Sequence, residues 1–262
     1  MPCVTLGGLR HYFRLEGNPA APPLVLVHAV GTDHSLWDAV VPALTDNWQV
    51  LRYDLRGHGG SQTPQEPCTI ESLGHDLLQL ADHVGWQRFA LCGLSIGALT
   101  AMQVALTAPQ RVTGLALTST AARVAPPPGG WAARAQAALE GGMAPLAQPM
   151  VERMFSAPFR ERAPALMHTM KSVFLQMDPR GYAACVAALE DADFSSRLGS
   201  IACPAVVIRG ADDVLLAHAA AQALADAIRG GRLVEVEGAH FPPLEDPAGF
   251  VQALSSLRPG SR

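Results

Sequence analysis

"LCGLSIGALT", residues 91–100, sets one serine, Ser95, between Gly93 and Gly97, with an apolar run before it and an Ala/Met/Leu-rich stretch after it. A serine hydroxyl by itself is a poor nucleophile, and two glycines weaken a helix, so helix packing alone does not account for the pattern. The preceding "RFALCG" (88–93) has the continuous apolar character of a strand buried on both faces. The following residues predict a helix to about Ala108, stopped before Pro109. A serine at such a strand-to-helix turn takes strained backbone angles, and small residues on either side keep neighbouring backbone clear. "G-L-S-I-G" therefore fits the G-x-S-x-G nucleophile elbow, with the hydroxyl held above the sheet edge at a helix N-terminus. An ordinary tight turn has the same appearance unless the rest of the chain supplies a base and an acid.

Outward from this point, strand and helix patterns alternate. "GLRHYFRLEG" (8–17) predicts a half-exposed strand with Leu9, His11, Phe13 and Leu15 on one face. "LVLVH" (24–28), "WQVLRYD" (48–54), "VTGLALTST" (112–120), "PAVVIRGADD" (204–213) and "RLVEVEG" (232–238) are further strand candidates. "DHSLWDAVVPAL" (33–44) predicts a short helix, and Leu73, Leu77, Leu80, Ala81 and Val84 recur at helical spacing. "AHAAAQALADAI" (217–228) and "DPAGFVQALSSL" (246–257) are the late helices. "VAPPPGG" (124–130) cannot be helix or central strand, and from Trp131 to about Gly199 no strand candidate interrupts a helical stretch. The expected fold is α/β: a mainly parallel sheet flanked by helices, with residues 1–122 and 200–262 as the core and 123–199 as an inserted helical cap.

Composition narrows the function. With 262 residues, 49% hydrophobic and 16% charged, the chain is long enough for one large core with a lid. The net charge of −4 and the lack of a basic run argue against a nucleic-acid partner. No segment has the character of a signal peptide or membrane span. Cys3, Cys68, Cys92, Cys185 and Cys203 form an odd, scattered set without CxxC, as expected of free thiols in a reducing, cytoplasmic setting.

Ser95 needs a base. Of nine histidines, His75, His83, His168 and His218 fall within predicted helices, whereas His240 follows the last strand in "VEGAHFP". A loop at a strand end can aim an imidazole across the sheet top, and the chain order Ser, acid, His suits His240. The acid should end the strand between them, where "VVIRGADD" offers Asp213 in a G-x-x-D turn, with Asp212 as the alternative. Asp54 precedes the serine, in "RYDLRGHGGS", and is read as an acceptor that shapes its own loop, with His58 packing there. An oxyanion needs two N–H donors: Ile96, directly after the serine, and Val30 in "HAVGT", with Ala29 and Gly31 keeping that turn small. His28, Asp33, His34 and His58 lack the helical pair spacing of a metal site, so no metal is expected. Cys92 lies inside the strand and is read as core.

"HAVGTDHSLWD", "LRYDLRGHGGS", "CGLSIGALT", "LTSTAARV", "MDPRGYAACVAALEDADF" and "VEGAHF" together resemble the α/β-hydrolase superfamily, and within it the 3-oxoadipate enol-lactonases. The resemblance runs from about Leu9 to Leu257. It implies Ser95, Asp213 and His240 as a catalytic triad, no metal or organic cofactor, and a small-molecule lactone or ester as substrate. The implied reaction is hydrolysis of 3-oxoadipate enol-lactone in aromatic-compound breakdown. Trp131 and Arg134, three apart on one helix face, match the spacing in that group's cap and are the candidate substrate contacts, the arginine for a carboxylate. Three positions depart from the group's pattern: His28-Ala29 at the oxyanion loop, Ala98 after Gly97, and Pro242-Pro243 after the histidine. They border the pocket, which keeps open a carboxylesterase, a lactonase for another ring, or a hydrolase-like small-molecule receptor.

Overall fold

The structure is a computed structural model that describes residues 2–257. Eight strands form one sheet: β1 (Cys3–Leu6), β2 (Leu9–Glu16), β3 (Pro23–Val27), β4 (Gln49–Tyr53), β5 (Phe89–Leu94), β6 (Val112–Thr118), β7 (Ala205–Gly210) and β8 (Arg232–Val236). Their spatial order is β1-β2-β4-β3-β5-β6-β7-β8. β1–β2 and β2–β4 are antiparallel, and every other pair is parallel. The expected α/β class with a mainly parallel sheet is the one observed.

The period-2 geometry of a strand explains the two cores. Val25 and Val27 of β3 point into one, which α2 (Ile70–His83) and α3 (Ile96–Thr107) cover. Leu24 and Leu26 point into the other, against Trp37 and against Phe250 and Leu254. Because both faces are covered, β4 and β5 are buried along their whole length, and the sequence of β5 is continuously apolar.

Three expectations change in detail. Residues 33–44 form a 3-10 turn (His34–Trp37) and then the single turn α1 (Val41–Leu44), because Pro42 brings no N–H to continue one helix. The N-terminal strand β1 was not foreseen; Gly7 and Gly8, both at positive φ, close the β1–β2 hairpin and were its signal. Leu15, grouped with Leu9, His11 and Phe13 on one strand face, departs from buried His11 by being 42% exposed.

Between β6 and β7 lie α4 (Gly130–Gly141), α5 (Ala144–Met154), α6 (Ala157–Arg162), α7 (Pro164–Leu175) and α8 (Pro179–Ala187), with no strand among them. A proline opens or nearly opens each of α5 to α8, where its missing N–H costs nothing. The helical stretch ends at Ala187, earlier than the expected Gly199, and only a 3-10 turn (Leu198–Ser200) follows before β7. α8 is rooted on the sheet side. A Cβ on Gly57 would lie 2.5 Å from the Gly181 Cα, so only two glycines can meet there. Cys68 N–H donates to the Ala184 carbonyl at 3.2 Å. After β7 come α9 (His218–Ala227), α10 (Pro242–Glu245) and α11 (Pro247–Ser255). No helix among the described residues is long and apolar enough to cross a membrane.

Candidate active site

Ser95 sits between β5 and α3 with φ 56° and ψ −117°. The two flanking glycines are steric requirements. A Cβ on Gly93 would lie 2.1 Å from the Gly97 carbonyl oxygen, and one on Gly97 would lie 2.2 Å from the Val27 carbonyl oxygen. The strained serine angles are held from below, where Ser95 N–H donates to the Thr118 carbonyl at 2.9 Å.

Two strands away, the acid-bearing turn and the histidine loop are joined through backbone. Ala211 N–H donates to Val236 O, and Asp212 N–H to Gly238 O, both at 2.8 Å. Gly210 makes this approach possible, since a Cβ there would lie 2.0 Å from the Ala239 carbonyl oxygen. The buried Asp213 Oδ2 accepts from His240 Nδ1 at 2.8 Å, and its Oδ1 accepts from Leu215 N–H and Leu216 N–H. Burial alone would raise the Asp213 pKa, but His240 and these N–H donors outweigh it and hold the carboxyl below its ordinary value. The bond to Asp213 assigns the proton to Nδ1, which leaves Nε2 as the acceptor of the ring. Asp212, the alternative acid, is exposed.

The loop after β3 is clamped by neutral imidazoles. His58 Nε2 accepts from Gly31 N–H at 3.2 Å, and His28 Nε2 accepts from Leu55 N–H at 2.9 Å. Each needs a ring lone pair. Burial lowers the His28 pKa and, with the nearby His28 as a second cause, lowers that of His58 to about 3. Gly31 has φ 83°, and a Cβ there would lie 2.9 Å from the Phe174 ring of α7. The backbone N–H groups of Val30 and Ile96, the expected oxyanion donors, have no acceptor among the described residues. Asp54 shapes its loop: Oδ1 accepts from the His34 N–H and ring, and Oδ2 from Gly60 N–H. The ligating atoms of Asp33, His34 and Asp54 lie within 4.8 Å of one another, but these bonds, and the Ser35 donors on Asp33, already use them. Burial pushes the Cys92 thiol up to about 12, which leaves it inert inside β5.

One cavity of about 390 Å³ brings the separate pieces together. Ser95, His240 and Val30 are in its wall, as are Trp131 and Arg134 of α4, so the expected substrate contacts face the same space as the serine. Larger hollows of about 990 and 680 Å³ lie elsewhere, and neither touches Ser95. Ser95 Oγ makes no hydrogen bond to His240 among the described residues. Met150, Met154 and Phe174 supply apolar wall from the inserted helices. Arg134 Nε donates to the Tyr182 hydroxyl at 2.5 Å, which braces the guanidinium.

Several participants were not singled out from sequence. Arg123 and Arg153 also line the cavity, and no Asp or Glu side chain does. Arg153 lies beside Met154, whose carbonyl accepts from His240 N–H at 3.1 Å. Glu245 accepts from Ala239 N–H and from Ser156, tying the histidine loop to α6. Arg209 donates to the carbonyls of Ala211, Asp213 and Leu216 and so folds the acid-bearing turn. A signal existed only for Arg209, a charge inside an otherwise apolar strand.

Residues 22–247 match the model of the alpha/beta hydrolase fold family. The 3-oxoadipate enol-lactonase 2 of Acinetobacter baylyi is 34% identical over 241 residues, 92% of this chain and 90% of that protein. The solved structure of the enol-lactonase from Burkholderia xenovorans LB400 superposes with a TM-score of 0.95 at 37% identity, covering 98% of this chain and 99% of that one. A thermophilic esterase from Thermogutta terrifontis superposes at TM-score 0.91 and 27% identity, with 97% and 96% covered. A strand-to-helix elbow, an acid and a histidine on successive strand ends, and these likenesses along nearly the whole length lead to one assignment: the chain belongs to the alpha/beta hydrolase fold family.

Proposed function

We propose that this hydrolase opens a small anionic lactone, 3-oxoadipate enol-lactone, to 3-oxoadipate, using Ser95, His240 and Asp213 as its triad. The carrying observation is the buried 2.8 Å bond between Asp213 and His240 at the wall of the cavity that also holds Ser95. In this reading His240 Nε2 takes the Ser95 proton, and Asp213 orients the ring and stabilises its cation. Ser95 Oγ attacks the lactone carbonyl, and the N–H groups of Val30 and Ile96 hold the oxyanion. Collapse of the tetrahedral intermediate breaks the ring C–O bond and expels an enolate, which takes a proton and ketonises. Water, activated by His240, then cleaves the acyl-serine and frees the second carboxylate.

Residues 123–199 act as the cap in this scheme, closing an apolar, water-poor site over the serine. Three arginines and no carboxylate side chain in the lining suit a substrate with a free carboxylate, and Arg134, braced by Tyr182, is its contact. Trp131 supplies the adjoining apolar wall. The five unpaired cysteines suit a reducing compartment, the cytoplasm. The two 3-oxoadipate enol-lactonases of Acinetobacter baylyi that this chain resembles carry that activity in their names, which supports the choice of ring.

The test compares kcat/KM for the enol-lactone with a panel of short p-nitrophenyl esters. The lactone should lead by at least about tenfold, the scale one well-placed polar contact supplies. A preference for the neutral esters would make this a carboxylesterase.

A further inference from the structure

Two of the free cysteines meet across the joint between the core and the inserted helices. Cys68 lies two residues before α2, and Cys185 lies in α8, the last inserted helix. Their Sγ atoms are 3.7 Å apart, although 117 residues of sequence separate them. The backbones are held together as well, since Cys68 N–H donates to the carbonyl of Ala184, the residue before Cys185. The Cys185 S–H has two acceptors in reach, the Cys68 sulfur and the Arg56 carbonyl at 3.4 Å. A disulfide has an S–S length of about 2.05 Å, so the sulfurs need to close by only about 1.7 Å. That is the scale of a side-chain rotation rather than of a backbone displacement.

The two thiols are chemically unequal. The hydrogen bond from Cys185 holds the Cys68 thiol below its ordinary pKa, and the Arg56 guanidinium adds to this against burial and the Asp76 carboxylate. The same pairing, together with burial, keeps the Cys185 thiol well above its ordinary pKa. Cys68 is therefore the thiolate-forming partner and Cys185 the proton holder. Their access differs in the same sense. Cys68 is 3% exposed and belongs to the wall of a hollow of about 450 Å³ between the start of α2 and the segment after α8, whereas Cys185 is fully buried.

We propose that Cys68 and Cys185 form a site of reversible oxidative modification, at which a peroxide converts the two thiols to a disulfide that staples α8 to the core. The Cys68 thiolate attacks a peroxide oxygen, the O–O bond breaks, and hydroxide leaves a sulfenic acid on Cys68. The Cys185 sulfur then attacks the Cys68 sulfur, the S–O bond breaks, and a second hydroxide leaves. The protons of the two thiols turn both hydroxides into water. Two thiols lose two electrons, and one peroxide gains them. The other ties at this joint are non-covalent: the Gly57–Gly181 contact and the 2.9 Å bond from Thr63 Oγ1 to Asp178 Oδ2. The bridge would close a loop over residues 68–185, which contains Ser95 and α4 to α7. A loop of that length constrains the unfolded chain strongly. Neither sulfur belongs to the wall of the cavity with Ser95, so this site stands apart from the hydrolase reading and does not depend on it.

The experiment uses the full chain, hydrogen peroxide as the probe, and the variants Cys68→Ala and Cys185→Ala. Trypsin leaves Cys68 in peptide 57–88 and Cys185 in peptide 181–197, each the sole cysteine of its peptide. Peroxide-treated parent protein should yield these two peptides joined, lighter by two hydrogens than their sum, and dithiothreitol should separate them. Tm of the oxidised parent should rise by about 5 °C or more over the reduced form, and neither variant should show the rise. Oxidation that stops at a sulfinic acid on Cys68, that joins only Cys3 of two molecules, or that leaves both thiols unreacted would overturn the proposal. A joined peptide pair with Tm unchanged or lowered would also overturn it, by showing that the bridge strains the joint instead of stapling it. The joined peptides and their Tm are read from the parent protein, so a variant that does not fold leaves the test decisive.

Discussion

At the end of β5 there is no room for one methyl group: a Cβ on Gly97 would lie 2.2 Å from a carbonyl oxygen of β3, and one on Gly93 would lie 2.1 Å from Gly97 itself. Across the cavity, the inserted helices face the serine with Met150, Met154, Phe174 and Trp131, side chains of differing length and shape. The sheet top is built of backbone meeting backbone, so individual residues are obligatory. The helical wall is built of side chains meeting side chains, several of them flexible, so volume and polarity matter more than identity. The arginines are the exception on the helical side, because a charge cannot be replaced by shape.

The comparison breaks most visibly at the serine. Ser95→Ala should lower turnover by about four to six orders of magnitude while the protein stays folded. A near-parental rate from a folded variant would remove the triad.

Asp213→Asn should cost about four orders of magnitude in kcat, because the amide favours the wrong imidazole tautomer. Asp212→Asn, in the same turn but exposed, should stay within about threefold of the parent. The reverse ranking would shift the acid by one residue.

Gly97→Ala should destabilise by about 3 kcal/mol or more, since the atom it meets belongs to rigid backbone. On the helical side, Met150→Leu should cost less than about 1.5 kcal/mol. Urea denaturation of both variants reads this contrast directly, and similar values for the two would erase it.

Arg134→Ala should cost about 1.5–3 kcal/mol in transition-state binding for the anionic lactone, the worth of a hydrogen bond to a charged group. For a neutral ester of similar size the cost should be small. Equal losses on both would take Arg134 out of the substrate site.

The smallest effect is a slope. His58 is buried neutral with a pKa of about 3, while the unfolded chain titrates it near its ordinary 6.5. Below that value the unfolded state binds a proton the native state refuses. Stability is therefore complete above pH 6.5 and declines toward pH 3, by about 1.4 kcal/mol per pH unit for this residue. His58→Gln keeps an acceptor for Gly31 and should flatten the decline by one proton's worth. Asp213 and Asp54 add a further loss at lower pH: their folded pKa values are depressed, so their contribution is present above the ordinary carboxylate range and fades as pH falls through the folded values. A urea midpoint that does not change from pH 7 to 4 would contradict the buried neutral histidines.

Local chemistry made much of this protein legible before folding. Buried strands announce themselves by apolar runs, and the glycines beside Ser95 by the turn they permit. The order of elbow, strand-end aspartate and strand-end histidine follows from sequence position, as does the choice of Asp213 over Asp212 from a G-x-x-D turn. Apart from that chain order, each of these depends on residues within about one turn or one strand of each other, where periodicity is readable directly. Tertiary structure alone decided what meets across long separations. Arg123 and Arg153 share a cavity with Ser95 only because the segment after β6 and helix α5 line the same space, and nothing local distinguishes them from solvated arginines. His58 reaches Gly31, and Glu245 reaches Ser156, through loops whose closure no periodicity encodes. Ser119 is an ordinary serine in sequence; its positive φ and unpaired hydroxyl exist only once β6 is seated between β5 and β7. A side chain's burial and its partners belong to the packed chain, because burial is set by whichever distant segment arrives to exclude water.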